Sequence, residues 1–248
     1  MSGADAGPGR SARVGVAVPS AGLGARMGGV RKAFLELDGR PVLEHALRPF
    51  LDDDRVVAVA VALAPDDAAD PPGWLVGLDP RIVVVPGGDT RTQSVRSAIE
   101  ALPVDVDVIA VHDAARPLVS REVVTRCVGL AVRGHGAVAG CPAVDTMKVV
   151  GESATVVETP DRSTLWHAHT PQVFPADVLR AAYAAAGEEG TDDAALVERH
   201  SPDVRVTMVD DGGSNLKVTR PVDVPVAEAI LRAREASADS EPRRVPER

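Results

Sequence analysis

Residues 14–32, VGVAVPSAGLGARMGGVRK, carry the densest chemical signal in the chain. An apolar run, Val14 to Val18, leads into a loop holding Gly22, Gly24, Gly28 and Gly29, with Arg26, Arg31 and Lys32 as its cations. Glycine lets a backbone approach a ligand closely and adopt positive φ. Successive N–H groups in such a loop can cradle phosphate oxygens. The cations add charge that a plain turn does not need, and together these features point to a triphosphate. Two motif readings fail here. Gly22-Leu23-Gly24 opens a G-x-G-x-x-G pattern, but Met27 stands at the third glycine, and Glu36 and Asp38 come too early to be its acidic partner. The G-K-[ST] ending of a P-loop is absent. A simple strand-to-helix turn is the bland alternative for this stretch alone.

Two further polar loops follow apolar runs. PGGDTRTQSV (86–95) turns at Gly87-Gly88 and enters a helix, whose N-terminus favours an anion or a polar ligand. His112-Asp113-Ala114-Ala115-Arg116-Pro117 follows the run 107–111. His112 reads as structural rather than catalytic. In parallel sheets ligands sit beyond the carboxyl ends of the strands, so the loops 19–32, 87–94 and 112–117 are expected to meet on one sheet edge.

The elements that must position these loops alternate. Strands are predicted at 14–18, 55–63, 82–85, 107–111 and from 137, and helices at 41–51, about 91–102 and 120–133. The near-continuous Val/Ala run RVVAVAVAL (55–63) has the look of a strand covered on both faces. This rhythm predicts an α/β domain, Rossmann-like, with a mostly parallel sheet and helices on both faces. From Pro142 to Pro160 the rhythm breaks. Residues 146–150 and 154–159 around Gly151-Glu152-Ser153 read as a projecting β-hairpin arm, and an isolated hairpin needs something to pack on, here a second subunit. A return to the sheet is expected at 171–174. Helices are expected at 176–188 and 192–200, the second capped by Thr191 or Asp192, with Asp193 read as a helix-start residue. A strand at 204–209 and a helix at 221–235 complete the domain. The expected organisation is a disordered tail over 1–12, one domain over 13–235 with its arm at about 142–170, and a disordered tail over 236–248.

Composition narrows the function further. The chain of 248 residues carries a formal charge of −9, a poor balance for nonspecific nucleic-acid binding. Aromatic residues make up only 2%, so Val, Ala and Leu must build the core. Cys127 and Cys141 show no paired motif and no nearby ligand set, and read as reduced thiols of a cytoplasmic protein. His167 and His169, beside Trp166, are not read as metal ligands, and Lys148 reads as a surface charge of the arm. No apolar run approaches the length of a membrane span, and the N-terminal residues carry no apolar segment of a signal peptide.

The ordered blocks PSAGLGARM with Arg31-Lys32, GGDTRTQSV, VHDAARP, DTMK, Asp161-Arg162, HTPQVF, TDDAALVE and NLKVTRP resemble the 2-C-methyl-D-erythritol 4-phosphate cytidylyltransferases of the non-mevalonate isoprenoid pathway. The likeness spans about residues 14 to 230. It implies a nucleotide-diphospho-sugar transferase type of fold and a nucleotidyl transfer, in which a methylerythritol phosphate oxygen attacks the α-phosphate of CTP. By resemblance, Arg26 and Lys32 stabilise transition-state charge, and Arg162 and Lys217 aim the acceptor. Ser20, Ala21, Gly22, Gly24, Gly88, Asp89, Ser94 and Asp113 would line CTP. Asp113, Arg116, Thr146, Arg162, Thr170, Thr191 and Lys217 would hold the acceptor phosphate, with Thr146 and Arg162 reaching across a homodimer. Mg²⁺, or another divalent cation, is expected at Asp113, ligated mostly by phosphate oxygens. The chain departs from the pattern at Arg31, where relatives have proline, in a short segment between Met27 and Lys32, and at Ser20 in place of alanine. A cytidylyltransferase for another polyol phosphate, such as ribitol 5-phosphate, and a non-catalytic nucleotide-binding homologue are the alternatives.

Overall fold

The computed structural model describes residues 10–22, 31–187 and 192–240. In chain order the elements are β1 (Val14–Pro19), β2 (Glu36–Leu37), β3 (Arg40–Pro41), α1 (Val42–Leu51), β4 (Val56–Leu63), α2 (Pro65–Ala69), α3 (Gly73–Val76), β5 (Ile82–Pro86), α4 (Arg91–Ala101), β6 (Val108–Val111) and α5 (Arg121–Val132). They continue with β7 (Gly136–Pro142), β8 (Val149–Val150), β9 (Val156–Glu158), β10 (Trp166–Pro175), α6 (Ala176–Ala185), α7 (Asp193–His200), β11 (Val206–Asp210) and α8 (Asp223–Ser240).

Among the described residues, seven strands form the main sheet in the order β11-β7-β10-β6-β1-β4-β5. All run parallel except β10, which lies antiparallel between β6 and β7. The central strands explain their own sequences. β1 and β6 are buried along nearly their whole length, as a strand covered on both faces must be, and they therefore read as unbroken Val/Ala/Ile runs. One face carries α1 and α5, whose Leu43, Leu47, Phe50, Val124 and Val128 join one core cluster. The other carries α4, α6 and α7, contributing Val95, Ile99, Leu179 and Leu196. With few aromatics, the largest fully buried side chains are mainly Leu, with Phe50 and Phe174.

Several boundaries differ from expectation. The return strand, expected at 171–174, begins at Trp166, because its first half is held by β7 through Trp166–Pro142 and Ala168–Gly140 pairs. The arm's strands are shorter than expected: only Val149–Val150 pairs with Val156–Glu158. The C-terminal helix runs to Ser240, past its expected end at 235. The helix expected to reach 188 ends at Ala185. The Asp38-Gly39 turn has both residues at positive φ, which closes the small β2–β3 hairpin. No described helix is long and apolar enough to cross a membrane.

Candidate active site

The carboxyl ends of β1, β4, β5 and β6 share one edge of the sheet. At that edge lies a cavity of about 650 Å³ lined by residues of all three polar loops, among them Ser20, Gly22, Lys32, Gly88 and Asp113, and by Lys217. Ser20 N–H donates to Ala62 O at 2.8 Å, and Gly87 N–H to Leu63 O at 2.7 Å, so both loops hang from β4. They touch where only glycine fits. A Cβ on Gly87 would stand 2.6 Å from Ala21 Cβ and 2.9 Å from Ser94 Oγ, inside any real contact distance. Ser94 then closes the second loop, accepting from Gly88 N–H at 3.2 Å and donating to Thr90 O at 3.0 Å. Thr90 and Gln93 form a reciprocal capping box that begins α4, and Thr90 and Arg91 line the cavity. The Ser20 hydroxyl oxygen is buried with no hydrogen-bond partner among the described residues.

Asp113 is the electrostatic centre of the site. Its Oδ2 accepts from Lys217 Nζ at 2.7 Å, its Oδ1 accepts from Arg91 Nε at 3.1 Å, and Arg116 Nε stands 3.9 Å away. Burial pushes the carboxyl up, but Arg91, Lys217 and Arg116 outweigh it and hold it far below the usual carboxylate range. Arg91 is itself gripped by Asp193, which is fully buried and also accepts from the Tyr183 hydroxyl. Burial disfavours the Arg91 charge, and Asp193 more than restores it. Behind Asp113, the Arg116 guanidinium donates to Asn215 O at 2.7 Å, and its Nε has no hydrogen-bond partner among the described residues.

His112 and Thr170 form the floor. Thr170 Oγ1 accepts from the Asp113 N–H at 2.9 Å and lies 3.1 Å from His112 Nδ1, while His112 Nε2 lies 3.1 Å from Arg116 O. A carbonyl only accepts, so Nε2 carries the proton, Nδ1 accepts from Thr170, and the ring is neutral. Burial pushes His112 down to about 4. Its place is structural, as its type and position implied.

The remaining site residues fall into groups. Lys32, Ala21, Gly22, Gly88, Asp89 and Ser94 border the cavity with Asp113 and Lys217. Arg116 and Thr170 stand behind it, both nearly fully buried. Thr146 and Arg162 do not join them: both are exposed on the arm, and Arg162 Nη1 donates to Val144 O at 2.8 Å. Gly24, Arg26 and Thr191 lie outside the described residues. Arg31 forms an ion pair with Asp67 of α2. Asp192 caps α7 through Ala195 N–H at 2.8 Å. Asp193 opens α7 as expected and is also the buried anchor of Arg91. Sequence reasoning missed Arg91, Asp193, Tyr183 and Asn215. The T-x-x-Q pattern at 90–93 was the available signal that Arg91 opens a helix beside the second loop.

A glycine loop, a helix N-terminus and two lysines converging at the carboxyl edge of a mostly parallel sheet define an α/β nucleotidyltransferase. The family model IspD, 2-C-methyl-D-erythritol 4-phosphate cytidylyltransferase, matches residues 14–233, and the chain belongs to that family. A 2-C-methyl-D-erythritol 4-phosphate cytidylyltransferase of Symbiobacterium thermophilum is 43% identical over 223 residues, covering 88% of this chain and 92% of that protein. One from Frankia casuarinae is 43% identical over 226 residues, 90% of this chain and 83% of the relative. The crystal structure of the Thermus thermophilus cytidylyltransferase superposes with a TM-score of 0.72 at 36% identity, covering 88% of this chain and 98% of that one.

The neutral His112 has a consequence for stability. Its unfolded value of 6.5 lies above its folded value of about 4, so between these the unfolded chain binds more protons. The His112 contribution to stability is therefore fully present above pH 6.5 and is lost as pH falls toward 4, about 3 kcal/mol in all. Urea midpoints measured across this window are expected to fall in the wild type and to flatten in His112→Gln. An equal slope in both proteins would remove His112 as the cause.

Proposed function

We propose that this protein transfers CMP from CTP to 2-C-methyl-D-erythritol 4-phosphate, releasing pyrophosphate and forming the 4-diphosphocytidyl alcohol. The observation that carries this reading is the cavity itself, which brings Lys32, the first turn of α4, Asp113 and Lys217 together, with Lys217 bonded to Asp113. Phosphoryl and nucleotidyl transfers need positioning and charge neutralisation more than covalent chemistry, and this site supplies both. The loop at 20–22 lies on one wall with Lys32, fitted to the triphosphate. Gly88, Asp89 and Ser94 form the second wall, where backbone N–H groups and a carboxylate can read a base edge. Lys217, bonded to Asp113 at the cavity, is the cation this reading gives to the acceptor phosphate. Arg26 and Gly24 belong to the same glycine loop, and Thr191 to the segment before α7; their roles rest on family resemblance.

Asp113 offers one carboxylate whose two oxygens accept from Lys217 and Arg91. A Mg²⁺ at Asp113 would have to displace one of these cations and would take most of its ligands from water and substrate phosphate oxygens. Bound there, the ion would neutralise phosphate charge.

The arm supports a homodimer. Val144, Val150, Val156 and Val157 are 75%, 54%, 55% and 70% exposed, an apolar surface seldom left to water. Arg162 lies on this arm away from its own cavity, which fits a role in a partner's site. Free Cys127 and Cys141 fit a reducing, cytoplasmic setting.

Incubating the protein with CTP, Mg²⁺ and the acceptor, and following pyrophosphate, tests the reading directly. Release is expected with methylerythritol phosphate; release only with ribitol 5-phosphate would overturn the acceptor, and CTP binding without turnover would overturn the activity. In the same assay Lys32→Ala is expected to lower kcat by about 10²–10³-fold, the usual cost of one lost charge-stabilising contact. Arg31 also lines the cavity, paired with Asp67, and near-normal turnover in Lys32→Ala would mean that Arg31 substitutes. Subunit sharing has its own test. Lys32→Ala and Arg162→Ala, each inactive alone, should regain part of the activity when mixed, and no recovery would place Arg162 in its own subunit's site.

A further inference from the structure

The ends of β7 and β11 lie close to the first half of β10. β7 delivers Cys141, β10 delivers His169, and the turn after β11 delivers Asp211. One ligand atom from each, Sγ, a ring nitrogen and a carboxylate oxygen, lie within 4.8 Å of one another. They are distant in sequence, so neither cysteine spacing nor a histidine motif reveals them.

We propose that Cys141, His169 and Asp211 form a three-ligand site for Zn²⁺, distinct from the Mg²⁺-dependent reaction centre. The donor set is the first argument. Thiolate and imidazole select a borderline ion such as Zn²⁺ over Mg²⁺, which prefers oxygen. Three protein ligands with a fourth position left to water is a standard zinc arrangement.

The geometry is the second argument. His169 Nδ1 lies 2.7 Å from Asp211 Oδ2, in hydrogen-bond contact. Tetrahedral zinc at bond lengths of about 2.1 Å needs these atoms about 3.4 Å apart, a side-chain adjustment of well under 1 Å. The metal replaces the proton shared by that pair and displaces the thiol proton of Cys141.

The third argument is the support behind the ligands. Asp211 is anchored by its backbone, N–H to Gly140 O at 2.9 Å, one residue from Cys141. Its Oδ1 accepts from Gly213 N–H at 3.0 Å and its Oδ2 from Asn215 Nδ2 at 3.0 Å. Gly213, at φ 71°, lets the turn fold back against Cys141, and a Cβ there would lie 3.6 Å from Sγ. Outer partners of this kind orient metal ligands. The Asp211 side chain is 1% exposed and that of His169 15%, so the site is built into the wall yet reachable from solvent.

Occupancy would clip β7 and β10 to the segment that carries Asn215 and Lys217. Asn215 also donates to Thr170 O at 2.8 Å, which joins the clip to the floor beneath Asp113.

The test uses tag-free, full-length protein stripped of metal and titrated with Co²⁺ as a spectroscopic probe of the zinc site. One equivalent should bind, with a thiolate-to-cobalt charge-transfer band and the intense visible bands of tetrahedral cobalt. Zn²⁺ should erase the spectrum, excess Mg²⁺ should not, and Zn²⁺ should raise the melting temperature. Cys141→Ser should abolish the charge-transfer band while leaving pyrophosphate release with Mg²⁺ intact. His169→Gln should weaken Co²⁺ binding by at least about tenfold, the lower end found even for outer partners. Absence of the charge-transfer band in the wild type, its survival in Cys141→Ser, or displacement by Mg²⁺ would each overturn the proposal.

Discussion

The carboxylate of Asp113 holds together parts of the chain that no local interaction could join. Lys217 comes from the segment before α8, Arg91 from the first turn of α4, and Arg116 from the same loop three residues on. An ionised carboxylate is costly to bury unless its charge is answered. Here Lys217 and Arg91 bond to it directly and Arg116 stands beside it, and this electrostatic surplus keeps Asp113 charged. The Arg91 end of the network continues inward to Asp193 and Tyr183, so the site's charges are tied to the packing of α6 and α7 behind the sheet. Polar networks of this kind specify one arrangement only when nearly every member is satisfied. Near the site, Ser20 Oγ, Arg116 Nε and Asn215 Oδ1 are left without a hydrogen-bond partner among the described residues.

Around that centre, rigidity comes from small residues. Gly87 permits the second loop to touch Ala21, and the Ser94 hydroxyl then satisfies the Gly88 backbone. Beneath, a neutral His112 joins Thr170 to the Arg116 carbonyl without introducing a charge next to the carboxylate. A protonated imidazole there would be desolvated on every side, which is why burial lowers its affinity for the proton.

The antiparallel strand β10 gives the enzyme its second half. Running against β6, it enters the sheet from the site edge and brings Thr170 beside Asp113, while its preceding segment remains outside as the arm. The arm's apolar valines are exposed in the single chain, and Arg162 bonds to Val144 O within the arm. The homodimer proposed above would cover those valines.

Much of the fold and part of the site were legible in the residues. Unbroken Val/Ala runs mark strands covered on both faces, and helical spacing marks α1, α4 and α5, because local periodicity responds directly to which face is buried. The glycine loops and the HDAARP turn were legible because each places its chemistry within a few residues. What tertiary structure alone decided were relations between distant residues. The start of β10 at Trp166, with no clear alternation in its own sequence, is set by pairing with β7. Asp193 looks like any helix-start acid until Arg91, far away in the chain, is folded onto it. Arg31 looked free for phosphate until α2 brought Asp67 beside it. Thr146 and Arg162 bear the right types for an anion, yet the path of the arm carries them away from their own cavity. Residue type and spacing determined which chemistry was available; the packing of separate strands and helices decided which charges meet, because charge and hydrogen-bond partners are chosen by distance in space and not along the chain.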